Sequence, residues 1–206
     1  MAHFRTVSLA FAATAVLAGC TSVPKPGPVE ITRFHDAAAL AQFGRGTIFI
    51  ESAPGEDGES LEIAAYKAAV ASRLAALGYR ETSREEAGQI AQVRLGRHVI
   101  APEGSKRGPV SVGVGGSTGS YGSGVGLGIG INLGGGKPRD RIDTDLGVMI
   151  RDKASGDTIW EGRASLEVGK GSPLEAPQAN ASAIAQALFR DFPGNNGETL
   201  EVKVSE

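Results

Sequence analysis

Two runs of strict alternation set the tightest limit on what this chain can fold into. RIDTDLGVMIRD (141–152) puts Ile142, Leu146, Val148 and Ile150 on one side and Arg141, Asp143 and Asp145 on the other. TIWEGRASLEV (158–168) gathers Trp160, Ala164, Leu166 and Val168 in the same way. A period of two sends successive side chains to opposite faces, so each run predicts a strand with one buried and one solvated face. The polar turn DKASGD between them reverses the chain and makes a hairpin. A sheet of this kind is stable only when a second layer covers its apolar face.

The remaining chain supplies that layer. VEITRF (29–34) and TIFIE (47–51) predict short strands rich in β-branched and aromatic residues. From Ser60 to Leu77, Ile63, Tyr66, Val70, Leu74 and Leu77 recur at helical spacing, and Gly78 stands where a C-terminal cap belongs. QIAQVRLGRHV (89–99) alternates again, with Ala91, Val93, Leu95 and Val99 on one face and Gln92, Arg94 and His98 on the other. Gln178 to Phe192 predicts a second helix through Ala181, Ile184, Leu188 and Phe192; Pro193 stops it, and LEVKV (200–204) offers a last strand. The expected fold is α+β: a mostly antiparallel sheet with two helices packed on it, forming a single domain over 29–206 with a protruding glycine-rich hairpin.

That hairpin is the insert 108–136, in which 13 of 29 residues are glycine. It does not match a phosphate cradle. The G-x-G-x-x-G offset is missing, and the P-loop pattern fails because Ile131 stands at its upstream glycine and Pro138 at its Ser or Thr. Instead Val110, Val112 and Val114 alternate with small residues, and so do Val125, Leu127, Ile129, Ile131 and Leu133. Two arms joined by GGSTGSYGSG predict a hairpin with one apolar face and one nearly bare face. A bare face lets another backbone, ring or sheet approach closely, or it belongs to a loosely constrained surface ribbon; both readings stay open. Lys106, Arg107, Lys137, Arg139 and Arg141 flank the arms. Closure gathers them at one end, where they would meet an anionic partner such as a lipid phosphate, lipopolysaccharide or a cell-wall carboxylate. The competing reading makes them charges that keep a sticky ribbon soluble.

The N-terminus, MAHFRTVSLAFAATAVLAGC, has Arg5 as its only charge, an apolar stretch from Val7 to Val16, and small residues before Cys20. The stretch is short for a membrane-spanning helix, so residues 1–19 predict an export signal. Leu17, Ala18, Gly19 and Cys20 resemble the lipobox of bacterial lipoproteins, and the resemblance implies lipidation of the Cys20 thiol and cleavage just before it. Cys20 is the only cysteine, so the domain has no internal disulfide. Residues 20–28, with Pro24, Pro26 and Pro28, form a stiff tether of roughly 25–30 Å. In the lipoproteins it resembles, Asp after the lipidated cysteine marks inner-membrane retention; with Thr21 there, the resemblance implies the outer membrane.

Catalytic chemistry is thin. Beyond the N-terminal segment the only histidines are His35 and His98, neither at metal-ligand spacing from another ligand, so no metal and no cofactor are expected. Asp143 and Asp145 share a strand face, which their solvated position explains. The 21 basic and 23 acidic residues leave a net charge of −2, and removing Arg5 with its segment makes it more negative, which argues against nucleic acid.

TRFH (32–35), RGTIFIE (45–51), LAALGY (74–79), AQVRLGRHV (91–99), TDLGVMIRDKASGDTIWEGRA (144–164) and RDFP (190–193) follow one another as in a bacterial lipoprotein family, and the chain resembles the domain-of-unknown-function 4136 family. Trp160 and Gly162, as W-x-G near the end of a strand, carry the likeness most. The resemblance implies an envelope lipoprotein with a small α+β domain, and it carries no established catalytic residue over to this chain. The expected role is therefore a non-catalytic binding or structural module, anchored through lipid and facing the periplasm, with an envelope protein, lipid or glycan at the glycine hairpin. The rival reading is an auxiliary subunit of an envelope transport system.

Overall fold

The computed structural model describes residues 25–204 apart from 59, 102–109, 119–122 and 132–139; for 110–118 and 123–131 it describes the backbone pairing. The export segment 1–19, Cys20 and the start of the tether lie outside the described residues. The strands are β1 (Val29–His35), β2 (Thr47–Ser52), β3 (Arg80–Glu81), β4 (Gln89–Ile100), β5 (Val110–Thr118), β6 (Ser123–Ile131), β7 (Arg141–Asp152), β8 (Thr158–Gly169) and β9 (Glu198–Val202). The helices are α1 (Leu61–Ala76) and α2 (Pro177–Leu188), with short 3-10 turns at Ala37–Gln42 and Pro173–Glu175.

The alternating pair forms the centre of a seven-stranded sheet of order β3-β2-β4-β7-β8-β1-β9. β7 and β8 pair antiparallel with Ile142 opposite Val168, Leu146 opposite Ala164 and Ile150 opposite Trp160, so the apolar sets share one face. Both helices cover that face. Ile63, Tyr66, Val70 and Leu74 of α1 and Ala181, Ile184, Ala185 and Leu188 of α2 are buried against Ala91, Val93, Leu146, Val148 and Leu166. Between the helices the buried Tyr66 hydroxyl donates to Asn180 Oδ1 at 2.9 Å, and Asn180 Nδ2 donates to the Leu174 carbonyl at 3.2 Å. Burial pushes the Tyr66 phenol up, so it remains a donor.

The α+β class holds, but the sheet is mixed and the expectation of a mostly antiparallel one is corrected. β2 runs parallel to both of its neighbours, β3 and β4. The cause is the connection: a strand that returns through a helix crossing the sheet arrives in its original direction, whereas a tight turn reverses it. α1 is that crossover. It ends at Gly78, whose φ of +107° lets the Tyr79 N–H reach the Leu74 carbonyl at 3.1 Å, and the chain turns at once into β3.

The insert between β4 and β7 pairs within itself. β5 and β6 make a separate two-stranded antiparallel sheet.

Candidate functional site

The face of the sheet away from the helices is polar. Gln92, Arg94, Gly96, Gly147, Met149 and Arg163 line an open groove of about 660 Å³ there. At its end nearest the insert, β4 and β7 pair with His98 opposite Asp143 and Gly96 opposite Asp145. His98 Nε2 then lies 4.0 Å from Asp143 Oδ2 and 3.8 Å from Asp145 Oδ2. One ligand atom from each of the three falls within 4.8 Å of the others. The Ser165 hydroxyl donates to Asp143 Oδ1 at 3.4 Å, fixing that carboxylate from the next strand.

An imidazole and two carboxylates at this separation can share a proton or hold a divalent cation from one side. The expectation that His98 lies apart from other ligands holds along the sequence and fails in space, because pairing of β4 with β7 spans the insert. All three side chains remain open to solvent, His98 by 59%. His35 lies elsewhere, at the end of β1, its ring edge-on to Phe43 with centroids 6.0 Å apart.

Of the five basic residues expected to form an anion contact, the structure places Arg141, whose Nη1 pairs with Glu167 Oε1 at 3.0 Å. Lys106, Arg107, Lys137 and Arg139 lie outside the described residues, as does the lipobox of Leu17, Ala18, Gly19 and Cys20. A string missed in the sequence is G-x-S-x-G at 115–119. A nucleophile elbow needs its serine on a sharp strand-to-helix turn. Ser117 instead sits inside β5, paired with Gly124.

Three of the segments that carry the family likeness, TRFH, W-x-G and RDFP, meet in one packed cluster. Trp160 is fully buried, stacked on Phe189 at 5.3 Å and tilted against Phe192 at 5.2 Å. Its indole N–H donates to the Pro193 carbonyl at 3.1 Å. Gly162, two residues along the strand on the same face, leaves the room its ring occupies: a Cβ there would lie 2.2 Å from Trp160 Cη2. Arg33, also buried, donates to the Arg190 carbonyl and pairs with Glu198. TRFH, W-x-G and RDFP are therefore parts of one internal lock joining β1, β8 and the end of α2.

The glycine hairpin is different in kind. Its register sets Val110 opposite Ile131, Val112 opposite Ile129 and Val114 opposite Leu127, with Ser111–Gly130, Gly113–Gly128, Gly115–Gly126 and Ser117–Gly124 alternating between them. Paired residues share a face. One face thus carries the aliphatic positions, and the other carries only glycine and serine.

Fold and lock together define a small α+β domain with two helices on one side of a mixed sheet. The chain belongs to the family described as Domain of unknown function (DUF4136), which matches residues 35–194. A curated relative, Uncharacterized protein ZMO1243 of Zymomonas mobilis subsp. mobilis, is 33% identical over 63 residues, 31% of this chain and 24% of that protein. Among solved structures, a PDZ domain protein from Parabacteroides distasonis is similar in fold with a TM-score of 0.51 at 10% identity, over 87% of this chain and 39% of that one. A PelC dodecamer from Paraburkholderia phytofirmans gives a TM-score of 0.44 at 10% identity, over 82% of this chain and 99% of that one. No helix among the described residues is long and apolar enough to cross a membrane.

Proposed function

We propose that the protein is a lipid-anchored component of the cell envelope, held through Cys20 at the periplasmic face of the outer membrane, whose domain is a non-catalytic binding or structural module. The β5–β6 hairpin is its contact element, and an envelope protein, lipid or glycan is its partner. One observation carries this reading: the hairpin forms a sheet of its own, while Trp160, Gly162 and Arg33 are spent on the internal lock. A two-stranded sheet alone in water is marginal, so a partner that covers it gives it a stable setting. Among the described residues the His98 cluster stands open to water, with 59% of the His98 side chain exposed.

Two changes test the reading. Cys20→Ser leaves an unprocessed or soluble precursor without palmitate; continued palmitate labelling removes the anchor. Deleting 109–136 leaves a folded domain that no longer retains its partner in the envelope. Unchanged partner retention by that variant moves the contact to another face.

A further inference from the structure

Resting on the reading of the hairpin as the contact element, we infer that β5 and β6 are membrane-crossing strands, and that several copies of the chain pair their hairpins edge to edge into one closed barrel in the bilayer. Four observations converge. Each strand has nine residues. At about 3.3 Å per residue and a tilt of about 40°, nine residues rise roughly 23 Å, close to the apolar band of about 25 Å on outer-membrane barrels. No charged residue occurs from Val110 to Ile131.

The register supplies the third. One face carries Val110, Val112, Val114, Val125, Leu127, Ile129 and Ile131, with Gly116 opposite Val125 and the small polar pair Thr118–Ser123 at the turn end, level with the headgroups; the other carries Ser111, Gly113, Gly115, Ser117, Gly124, Gly126, Gly128 and Gly130. Apolar outside and small or polar inside is the pattern of a barrel strand. A strand packed between two apolar layers has apolar residues on both faces instead.

The fourth is the edges. β5 and β6 pair only with each other, which leaves each with one edge that no described residue covers. Hydrocarbon cannot satisfy those backbone groups, and only closure does. One hairpin cannot close on itself. The smallest barrels have about eight strands, which takes about four copies at two strands each. Lipid therefore requires a second copy of this chain, and the two parts of the inference stand together.

The test is a cysteine scan of residues 124–131 in the full-length protein, in envelope membranes, with a thiol-reactive environment-sensitive fluorophore and a quencher confined to the lipid tails. Cys20 is the only native cysteine. If it is lipidated, the unsubstituted chain does not label; labelling there overturns the anchor reading by itself and leaves the scan interpretable. The expected result is quenching at 125, 127, 129 and 131 and none at 124, 126, 128 and 130. Uniform water exposure overturns the barrel. Shielding without access to the lipid quencher, together with crosslinking to another protein, also overturns it and leaves the docking role in place. As a second readout, Leu127→Lys lowers the membrane-assembled oligomer about 30-fold or more, while Gly128→Lys, one residue away on the other face, assembles normally. Equal behaviour of the two variants, with the domain folded by circular dichroism, refutes the two-faced arrangement.

Discussion

Gly162→Ala tests the internal lock directly. The added methyl would lie 2.2 Å from Cη2 and 2.9 Å from Cζ2 of Trp160, and 2.8 Å from Cδ1 of Leu188. Trp160 has nowhere to retreat, since Phe189 stacks on it with an interplanar angle of 17°, Phe192 tilts against it, and its N–H is bound to the Pro193 carbonyl. Overpacking of a filled core costs about 1–3 kcal/mol, and loss of the indole hydrogen bond adds about 1 kcal/mol. The expected destabilisation is about 2–4 kcal/mol, or roughly 5–15 °C in Tm for a domain of this size. Urea unfolding reports it cleanly, because Trp160 is the only tryptophan in the chain. A double-mutant cycle identifies the mechanism. Trp160→Phe removes both ring atoms that meet the new methyl, so Gly162→Ala should cost at least about 1 kcal/mol less in that background, with circular dichroism as the signal. Additivity within about 0.5 kcal/mol, or a single-mutant loss below that, refutes steric exclusion by the ring.

Other variants separate structure from chemistry. Glu198 accepts from the Asn195 side chain and backbone N–H and pairs with Arg33, which hold its carboxyl below the ordinary 4.5. A depressed carboxylate contributes stability above its unfolded pKa and loses it as pH falls through the folded value, so acid unfolding below pH 4.5 should lose this component in Glu198→Gln. Gly78→Ala places a Cβ 2.5 Å from the Gly44 carbonyl oxygen at a φ of +107°, and should cost about 1–3 kcal/mol in chemical denaturation. Tyr66→Phe strands the buried Asn180 amide and should cost about 1–2 kcal/mol. His98→Ala, Asp143→Asn and Asp145→Asn should each fold within about 0.5 kcal/mol of the parent and keep its cellular role; loss of that role at normal protein level makes the cluster the working site.

What was legible in the sequence follows from what periodicity encodes. The β7–β8 hairpin could be read because its two alternating runs are joined by a short polar turn, which fixes both faces and direction at once. The pairing of β2 with β4 could not be read that way, since Ile48 and Ile50 alternate identically in either orientation; direction lies in the α1 connection, not in the strands. β3 has two residues and no period to detect. His98 and Asp143 bear no signal in linear spacing, because the glycine insert lies between them. The clue was present indirectly: both belong to polar faces of alternating strands that flank one insert, and closing that insert pairs them.

The same closure gives a final prediction about how the insert relates to the domain. Ile100 and Arg141 are direct antiparallel partners, the last of the β4–β7 ladder, so a two-residue Asn-Gly turn can join them in place of 101–140. The lock lies at the far end of this ladder, with Trp160 opposite Ile150 and Gly169 opposite Arg141. If the insert packs on nothing in the domain, its removal sacrifices no core contact and shortens the loop about twentyfold, which relieves about 2–3 kcal/mol of closure entropy. The shortened chain should therefore unfold at higher urea than the parent, with an unchanged slope apart from the residues removed. A loss of more than about 1 kcal/mol would mean that the glycine hairpin contributes to the core of its own domain. Its apolar face would then already have an occupant, and both the docking role and the barrel would lose their physical basis.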